Sequence, residues 1–247
     1  MPRLFVPPES LRGERARLDR AAHRHLVRVL RLKCGDVVHL FDGVGTEIEA
    51  RIEAVGAASV EVALGARRRL PAPACAITLL ASPPRGERME LIVQKATELG
   101  VARIVPVTSA RAMVKAGPHQ RARWQSIANE ASRQSGRADI PAITDLLPLA
   151  TAVAREGGAT STRLLLWEGE RVQSLGAALA GGPRAVTLLV GPEGGFAPEE
   201  VALTAAAGFL PVGLGPRILR AETAAIVAVA LAQAAAGGLE WRPEIRQ

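Results

Sequence analysis

The stretch Ala185-Val186-Thr187-Leu188-Leu189-Val190-Gly191-Pro192-Glu193-Gly194-Gly195-Phe196, followed by Pro198-Glu199-Glu200, decides the fold. An apolar run ends in a glycine loop, and a proline with two acids then reads as the first turn of a helix. A strand with no wet face belongs inside a sheet covered on both sides, which is the habit of parallel sheets. In such sheets ligands bind beyond the carboxyl ends of the strands, where the glycine loop lies. Glycines there let the backbone approach a ligand closely.

The pattern repeats on either side. Downstream, Leu210 to Leu214 leads into Gly215-Pro216-Arg217-Ile218-Leu219-Arg220, then Ala221-Glu222-Thr223 and a very apolar helix. Upstream, Arg163 to Trp167 runs into Glu168-Gly169-Glu170, and Ala142 to Thr144 is a shorter strand candidate. Earlier still, Cys75 to Ala81 and Ala102 to Val107 are apolar runs flanking an amphipathic helix, Glu87 to Leu99, with Leu91, Ile92 and Leu99 inward and Gly100 as its C-cap. From Pro118 to Gly136, residues Trp124, Ile127, Ala128 and Ala131 recur at helical spacing. Alternating strands and helices predict an α/β domain with a mostly parallel sheet over residues 74–247.

Residues 1–70 read differently. A helix is expected from Leu18 to Leu30, with Leu18, Ala21, Ala22, Leu26, Val29 and Leu30 on one face and Arg20, Arg24 and Arg28 on the other. Three short strands come next, Val37 to Phe41, Glu47 to Val55 and Ser59 to Leu64, which suggests a compact β-barrel. Arg67-Arg68-Arg69 with Pro71 and Pro73 reads as a linker. The formal net charge is +7; from Met1 to Lys33 nine basic residues face three acidic ones, a net of +6. A surplus so concentrated attracts polyanions, and nucleic acid is the natural partner. The abundance of Ala and Arg elsewhere reflects codon bias rather than function.

Other classes lose ground. Cys34 and Cys75 stand alone and no Cys/His group has zinc spacing, so neither a disulfide nor a metal is expected. The charged N-terminus has no signal-peptide core, and the run Ala224 to Leu231 is far short of the ~20 residues that span a bilayer. A soluble cytoplasmic protein is the expectation. Phosphate-loop spacing is absent, and Gly43-Val44-Gly45 lacks the third glycine and the helix of a dinucleotide fingerprint.

Taken with His25-Leu26-Val27-Arg28-Val29-Leu30-Arg31, Gln94 to Gly100 and Glu130-Ala131-Ser132-Arg133-Gln134-Ser135-Gly136-Arg137, the two Gly-Pro loops resemble the RsmE family of SPOUT methyltransferases from end to end. That resemblance implies a small N-terminal PUA-like RNA-binding β-barrel and a SPOUT domain with a deep trefoil knot. It implies S-adenosylmethionine as cofactor and a homodimer that methylates N3 of a uridine in 16S ribosomal RNA of the small ribosomal subunit. The cofactor would lie against Leu166, Glu168, Gly191, Pro192, Glu193, Gly194, Gly195, Leu214, Gly215, Ile218, Leu219 and Thr223. RNA contacts are expected at Arg3, Arg24, His25, Arg28, Arg31 and Arg133.

Uracil N3 is a poor nucleophile, and stabilising charge on its carbonyl oxygens would lower the barrier. A guanidinium fork suits that task, so Arg137 and Arg220 are the catalytic candidates. The ordinary alternatives are a solvated loop arginine for Arg137 and pairing with Glu222 for Arg220. Glu130 is expected to pair with Arg133 or Arg123, and Glu193 to steady its own loop. Two other functions remain open: a SPOUT enzyme acting on a ribose 2′-hydroxyl or guanine N1 of transfer RNA, and a non-catalytic RNA-binding assembly factor. The nucleoside methylated separates the first, and failure to bind S-adenosylmethionine would single out the second.

Overall fold

The computed structural model describes residues 2–112, 118–156 and 161–240. The chain forms two compact units, Met1–Ala72 with Asn129–Ile140, and Pro73–Ala128 with Pro141–Gln247. Of the second expected region, residues 113–117, 157–160 and 241–247 lie outside the described ones.

The first unit holds strands β1 (Arg3–Phe5), β2 (Arg15–Leu18), β3 (Val37–Phe41), β4 (Thr46–Val55) and β5 (Val60–Arg69) in the order β1-β3-β4-β5-β2. Alternate residues of β4 and β5, among them Ile48, Ala50, Ile52, Val60 and Val62, enter a core with Leu11, Leu18, Leu26, Val38 and Leu40. Two register shifts bend the β4–β5 pair, as bulges do. The expected linker is instead strand: Arg67, Arg68 and Arg69 stand opposite Ile48, Glu47 and Thr46. Their charge is accommodated by distant acceptors, Leu11 O for Arg67 at 2.6 Å and Glu47 for Arg68 at 3.2 Å. Strands β1 and β2 are too short and charged to show a pattern in the sequence.

The expected helix at Leu18 to Leu30 is also broken. Asp19 caps a single turn, α1 (Arg20–His23), by accepting from Ala22 N at 2.9 Å. A π-helical turn continues the chain over Arg24–Val29, with Leu30 N donating to His25 O at 3.0 Å. The extra residue per turn rotates the residues after it, so Leu26 is buried while Val29 is 64% exposed. Ala21 and Leu30 also face solvent.

The second unit is the expected α/β layer structure. Its strands are β6 (Ala76–Ala81), β7 (Arg103–Thr108), β8 (Ala142–Ile143), β9 (Leu147–Pro148), β10 (Thr162–Leu166), β11 (Ala185–Val190) and β12 (Leu210–Val212). All pair in parallel, in the order β12-β10-β11-β6-β7-β8, with β9 beside β7. The helices are α2 (Arg88–Glu98), α4 (Leu149–Arg155), α5 (Leu175–Ala178), α6 (Pro198–Ala206) and α7 (Ala221–Ala235), while α3 (Pro118–Ser135) belongs to this unit as far as Ala128 and to the first unit from Asn129 on. Helices α4 and α6 cover one sheet face, over Leu80, Val105, Leu165 and Leu189; α7 covers the other at β6 and β11, packed between α2 and α5. In α2 the inward stripe is Met89, Ile92, Val93 and Ala96, one step round from that expected, and Leu91 is 40% exposed. Gly100 closes that helix at φ +90°, a conformation that side chains resist.

Candidate functional site

The ends of three strands are level. Leu166 is in register with Val190 on one side and with Val212 on the other, so the loops leaving β10, β11 and β12 start at one height. They enclose a cavity of about 450 Å³. From β10 come Leu166, Trp167, Glu168, Glu170 and Arg171; from β11, Val190 and the run Gly191 to Phe196. From β12 come Val212 to Gly215 and Arg217 to Arg220, with Ala221 and Ala224 of α7 closing the wall.

The local chemistry explains the loop shapes. At Gly191 a Cβ would stand 2.8 Å from the ring of Phe196, which is 4% exposed among Leu189, Leu149 and Phe209. Gly195 has φ +67°, and Glu168 Oε1 would clash with any Cβ placed there. Its N–H donates to Pro192 O at 2.9 Å, closing the turn. Pro198 then opens α6, and Glu200 accepts from Ala197 N at 2.9 Å. At the end of β12, Gly213 N donates to Gln173 O at 2.9 Å and its O accepts from Leu175 N, locking the third wall to the first.

The acids differ in what they have left to offer. Glu170 accepts from Val172 N and Gln173 N at 2.6 and 2.9 Å, and the Gln173 and Val172 bonds hold its carboxyl below the usual range. Glu193 accepts from Arg85 N at 2.9 Å and Arg88 Nη1 at 3.0 Å. Burial pushes its pKa up, but the Arg85 N–H, its own N–H and the two guanidinium groups outweigh this and lower it. It therefore steadies its loop and is a poor base. Arg88 also lies 3.8 Å from Glu222, whose side chain is 10% exposed, so one guanidinium ties the loop after β11 to the first turn of α7. Glu222 is thus directed to Arg88 rather than to Arg220. Glu168 has no partner among the described residues.

Of the cofactor residues expected from sequence, all but Thr223 line the cavity. Thr223 faces solvent, because the first turn of α7 points Ala221 and Ala224 inward. Arg220 is exposed at the N-cap of α7 and lines the cavity. Arg137 belongs to the first unit, is 10% exposed and grips Asp139 with both prongs, at 3.1 and 2.6 Å. Trp167, Phe196, Arg171 and Arg217 join the lining; of these, the aromatic rings are legible as two of only seven in the chain.

The RNA candidates divide as well. Arg24, Arg28 and Arg31 are exposed, with no acceptor among the described residues. Arg3 is 14% exposed, donates to Glu47 at 2.9 Å and to Arg137 O at 3.2 Å, and lies 5.2 Å from the ring centroid of Phe41. It serves packing, not a surface. Arg133 donates to Glu130 at 2.8 Å, the ordinary helix pair expected. Both adjoin His25, whose Nε2 is buried without a hydrogen-bond partner. Burial, then the charge of Arg133, lowers its pKa from 6.5 against an opposing pull from Glu130. The unfolded chain therefore takes up this proton first, and stability is lost as pH falls from about 6.5 through the lowered folded value. His25→Gln is expected to flatten the decline of Tm over pH 7.5 to 5.5; an unchanged slope would mean that the proton is accommodated.

Parallel strands with glycine loops at their level carboxyl ends are the arrangement of an α/β ligand-binding domain, here in a chain whose other unit exposes Arg24, Arg28 and Arg31. The sequence model of the RNA methyltransferase domain matches residues 71–233, and that of the RNA methyltransferase PUA domain matches residues 18–64. The ribosomal RNA small subunit methyltransferase E of Synechocystis is 36% identical over 92% of this chain and 76% of its own length; that of Bacillus subtilis is 29% identical over 91% and 89%. Among solved structures, the Neisseria gonorrhoeae enzyme of that name, bound to S-adenosyl methionine, superposes with TM-score 0.87 at 34% identity, covering 95% of this chain and 97% of its own. A Legionella pneumophila methyltransferase in complex with the same cofactor gives TM-score 0.81 at 36% identity, covering 94% and 97%. This chain belongs to the ribosomal RNA small subunit methyltransferase E family, the RsmE family of RNA methyltransferases.

Proposed function

We propose that this protein methylates N3 of a uridine in 16S ribosomal RNA, with S-adenosylmethionine as donor. The observation that carries the reading is the convergence of three level loops on one cavity, in a chain whose relatives of known structure bind that donor. The cavity fits it. Its volume is within the range of pockets for ligands of this size. Leu166, Val190, Val212 and Leu219 offer apolar walls for an adenine, and the backbone of Gly191 to Gly195 and Leu214 to Gly215 offers amides and carbonyls for its edge. The unpartnered carboxylate of Glu168 suits the ammonium group of the methionyl end.

When bound, S-adenosylmethionine supplies an electrophilic methyl group on its sulfonium. The residues of the chain hold donor and acceptor in line and exclude water. Arg220, at the cavity mouth, stabilises the negative charge left on the uracil oxygens as the N3 proton departs to solvent. Arg137 is assigned to the acceptor RNA, exchanging Asp139 for a phosphate or base edge. Arg24, Arg28 and Arg31 form a separate RNA-binding face. Replacing all three by Ala is expected to weaken RNA binding and flatten its salt dependence by about 0.7 to 0.9 for each phosphate no longer neutralised, without altering donor affinity; an unchanged salt slope removes this face.

The trefoil knot and the homodimer remain part of the proposal, together with a cytoplasmic location. The knot is supported by the strand order, since β12 follows β11 yet lies beyond β10, and α7 returns over β11 and β6. The dimer rests on the family resemblance and is checked by sedimentation. Among the described residues no helix is long and apolar enough to cross a membrane.

The decisive experiment incubates the protein with labelled donor and either naked 16S RNA or small subunits, then identifies the labelled nucleoside. The expected product is 3-methyluridine, and any other methylated nucleoside overturns the assignment. No calorimetric binding of S-adenosylmethionine would point instead to a non-catalytic RNA-binding factor.

A further inference from the structure

Six charged residues line the cavity, three acids and three arginines. Glu170 is occupied by two backbone N–H groups, and Glu193 by Arg85 N and Arg88. That leaves Glu168 against the guanidinium groups of Arg171, Arg217 and Arg220, all exposed and without an acceptor among the described residues. Elsewhere in the same unit Arg103, Arg121, Arg123 and Arg163 each meet a carboxylate or carbonyl. The cavity mouth thus carries a surplus of uncommitted positive charge.

Arg171 and Arg217 share a further feature. They sit on different loops, after β10 and after β12, and each is followed by an aliphatic side chain in solvent: Val172 is 94% exposed and Ile218 80%. A cation beside an exposed apolar surface matches a phosphate beside an unstacked base, which is how single-stranded RNA presents itself. A free inorganic anion would have no use for the second element. A cofactor carboxylate would not require arginines from two separate loops, after β10 and after β12.

We propose that Arg171 and Arg217 form a phosphate clamp, with Val172 and Ile218 as apolar rests for the flanking bases, gripping the RNA strand on either side of the nucleotide that enters the cavity. This rests on the RNA methyltransferase reading and adds to it a substrate-holding site distinct from the basic face of the first unit. Phosphate contacts position a strand rather than read it, so the clamp sets register and affinity, not the identity of the base.

The test compares Arg171→Ala, Arg217→Ala and the double variant with Arg184→Ala. Arg184 is exposed and precedes β11, at the end of the sheet opposite the cavity, so its removal takes the same charge from elsewhere. Binding of 16S RNA is measured over a salt series, KM for RNA and kcat are determined, and donor affinity is taken from calorimetry. Each clamp variant is expected to raise Kd and KM for RNA roughly 3- to 10-fold and to reduce the salt slope by about 0.7, with a smaller effect on donor affinity than on RNA affinity and with Arg184→Ala near wild type. RNA Kd and salt slope equal to those of Arg184→Ala would overturn the clamp. So would a tenfold loss of donor affinity, which would place these arginines on the cofactor. Because RNA binding is read without turnover, a wild-type protein that binds RNA but transfers no methyl group would overturn the enzymatic reading and leave the clamp to be judged by the salt slopes.

Discussion

Gly191→Val is expected to abolish methyl transfer and to leave no calorimetric signal for S-adenosylmethionine. The first added carbon would stand 2.8 Å from the Phe196 ring, whose other near atoms are at 3.1 and 3.2 Å, and the ring is embedded in the core. It can yield only by carrying the turn from Pro192 to Gly195 with it, and that turn is a wall of the cavity. Overpacking of this kind costs about 1–3 kcal/mol, so Tm should fall by roughly 2–12 °C while the chain still folds. Gly194→Val is the milder control, because Gly194 is exposed and its Cβ would meet Arg111 Cβ at 3.3 Å. Wild-type donor affinity in Gly191→Val would mean that this loop does not bound the cofactor.

Arg220→Ala is expected to lower kcat by about 10²- to 10³-fold, the usual consequence of removing a donor aimed at developing negative charge, while donor affinity stays within a few-fold of wild type. Arg220 is solvent-exposed at the N-cap of α7 and has no acidic partner among the described residues, so little stability depends on it. Arg220→Lys keeps the charge but loses the fork and should recover part of the rate. The pH profile separates chemistry from packing. Without the guanidinium the uracil anion is less favoured, and the rising limb should move to higher pH. An unchanged kcat with a raised KM for RNA would instead assign Arg220 to phosphate binding.

How much of the molecule is legible in its sequence depends on the range of the interactions. Strand β11 is read at its observed bounds because a fully apolar run with glycine at its end has few alternatives. The cavity loops are found for the same reason, each being a local signal after an apolar strand. Arg67 to Arg69 read wrongly as a linker because their acceptors, Leu11 O and Glu47, are 56 and 21 residues away. Arg3 reads as surface charge, although Glu47 and Phe41 enclose it. The inward stripe of α2 and the π-helical turn after His23 are shifts of one residue that periodicity cannot resolve. Arg88 gives no signal at all, since its role depends on Glu193, 105 residues further on.

The strand β12 is only three residues long, stands at the edge of its sheet and pairs with β10 alone. Yet it supplies one wall of the cavity, so any undocking of this edge would dismantle the binding site. A ligand that binds only the assembled site draws the edge toward closure in proportion to the ligand's concentration over its Kd. The donor thereby acts as a fastener for the last strand, and local opening of residues 210–220 becomes a gauge of how much of it is bound.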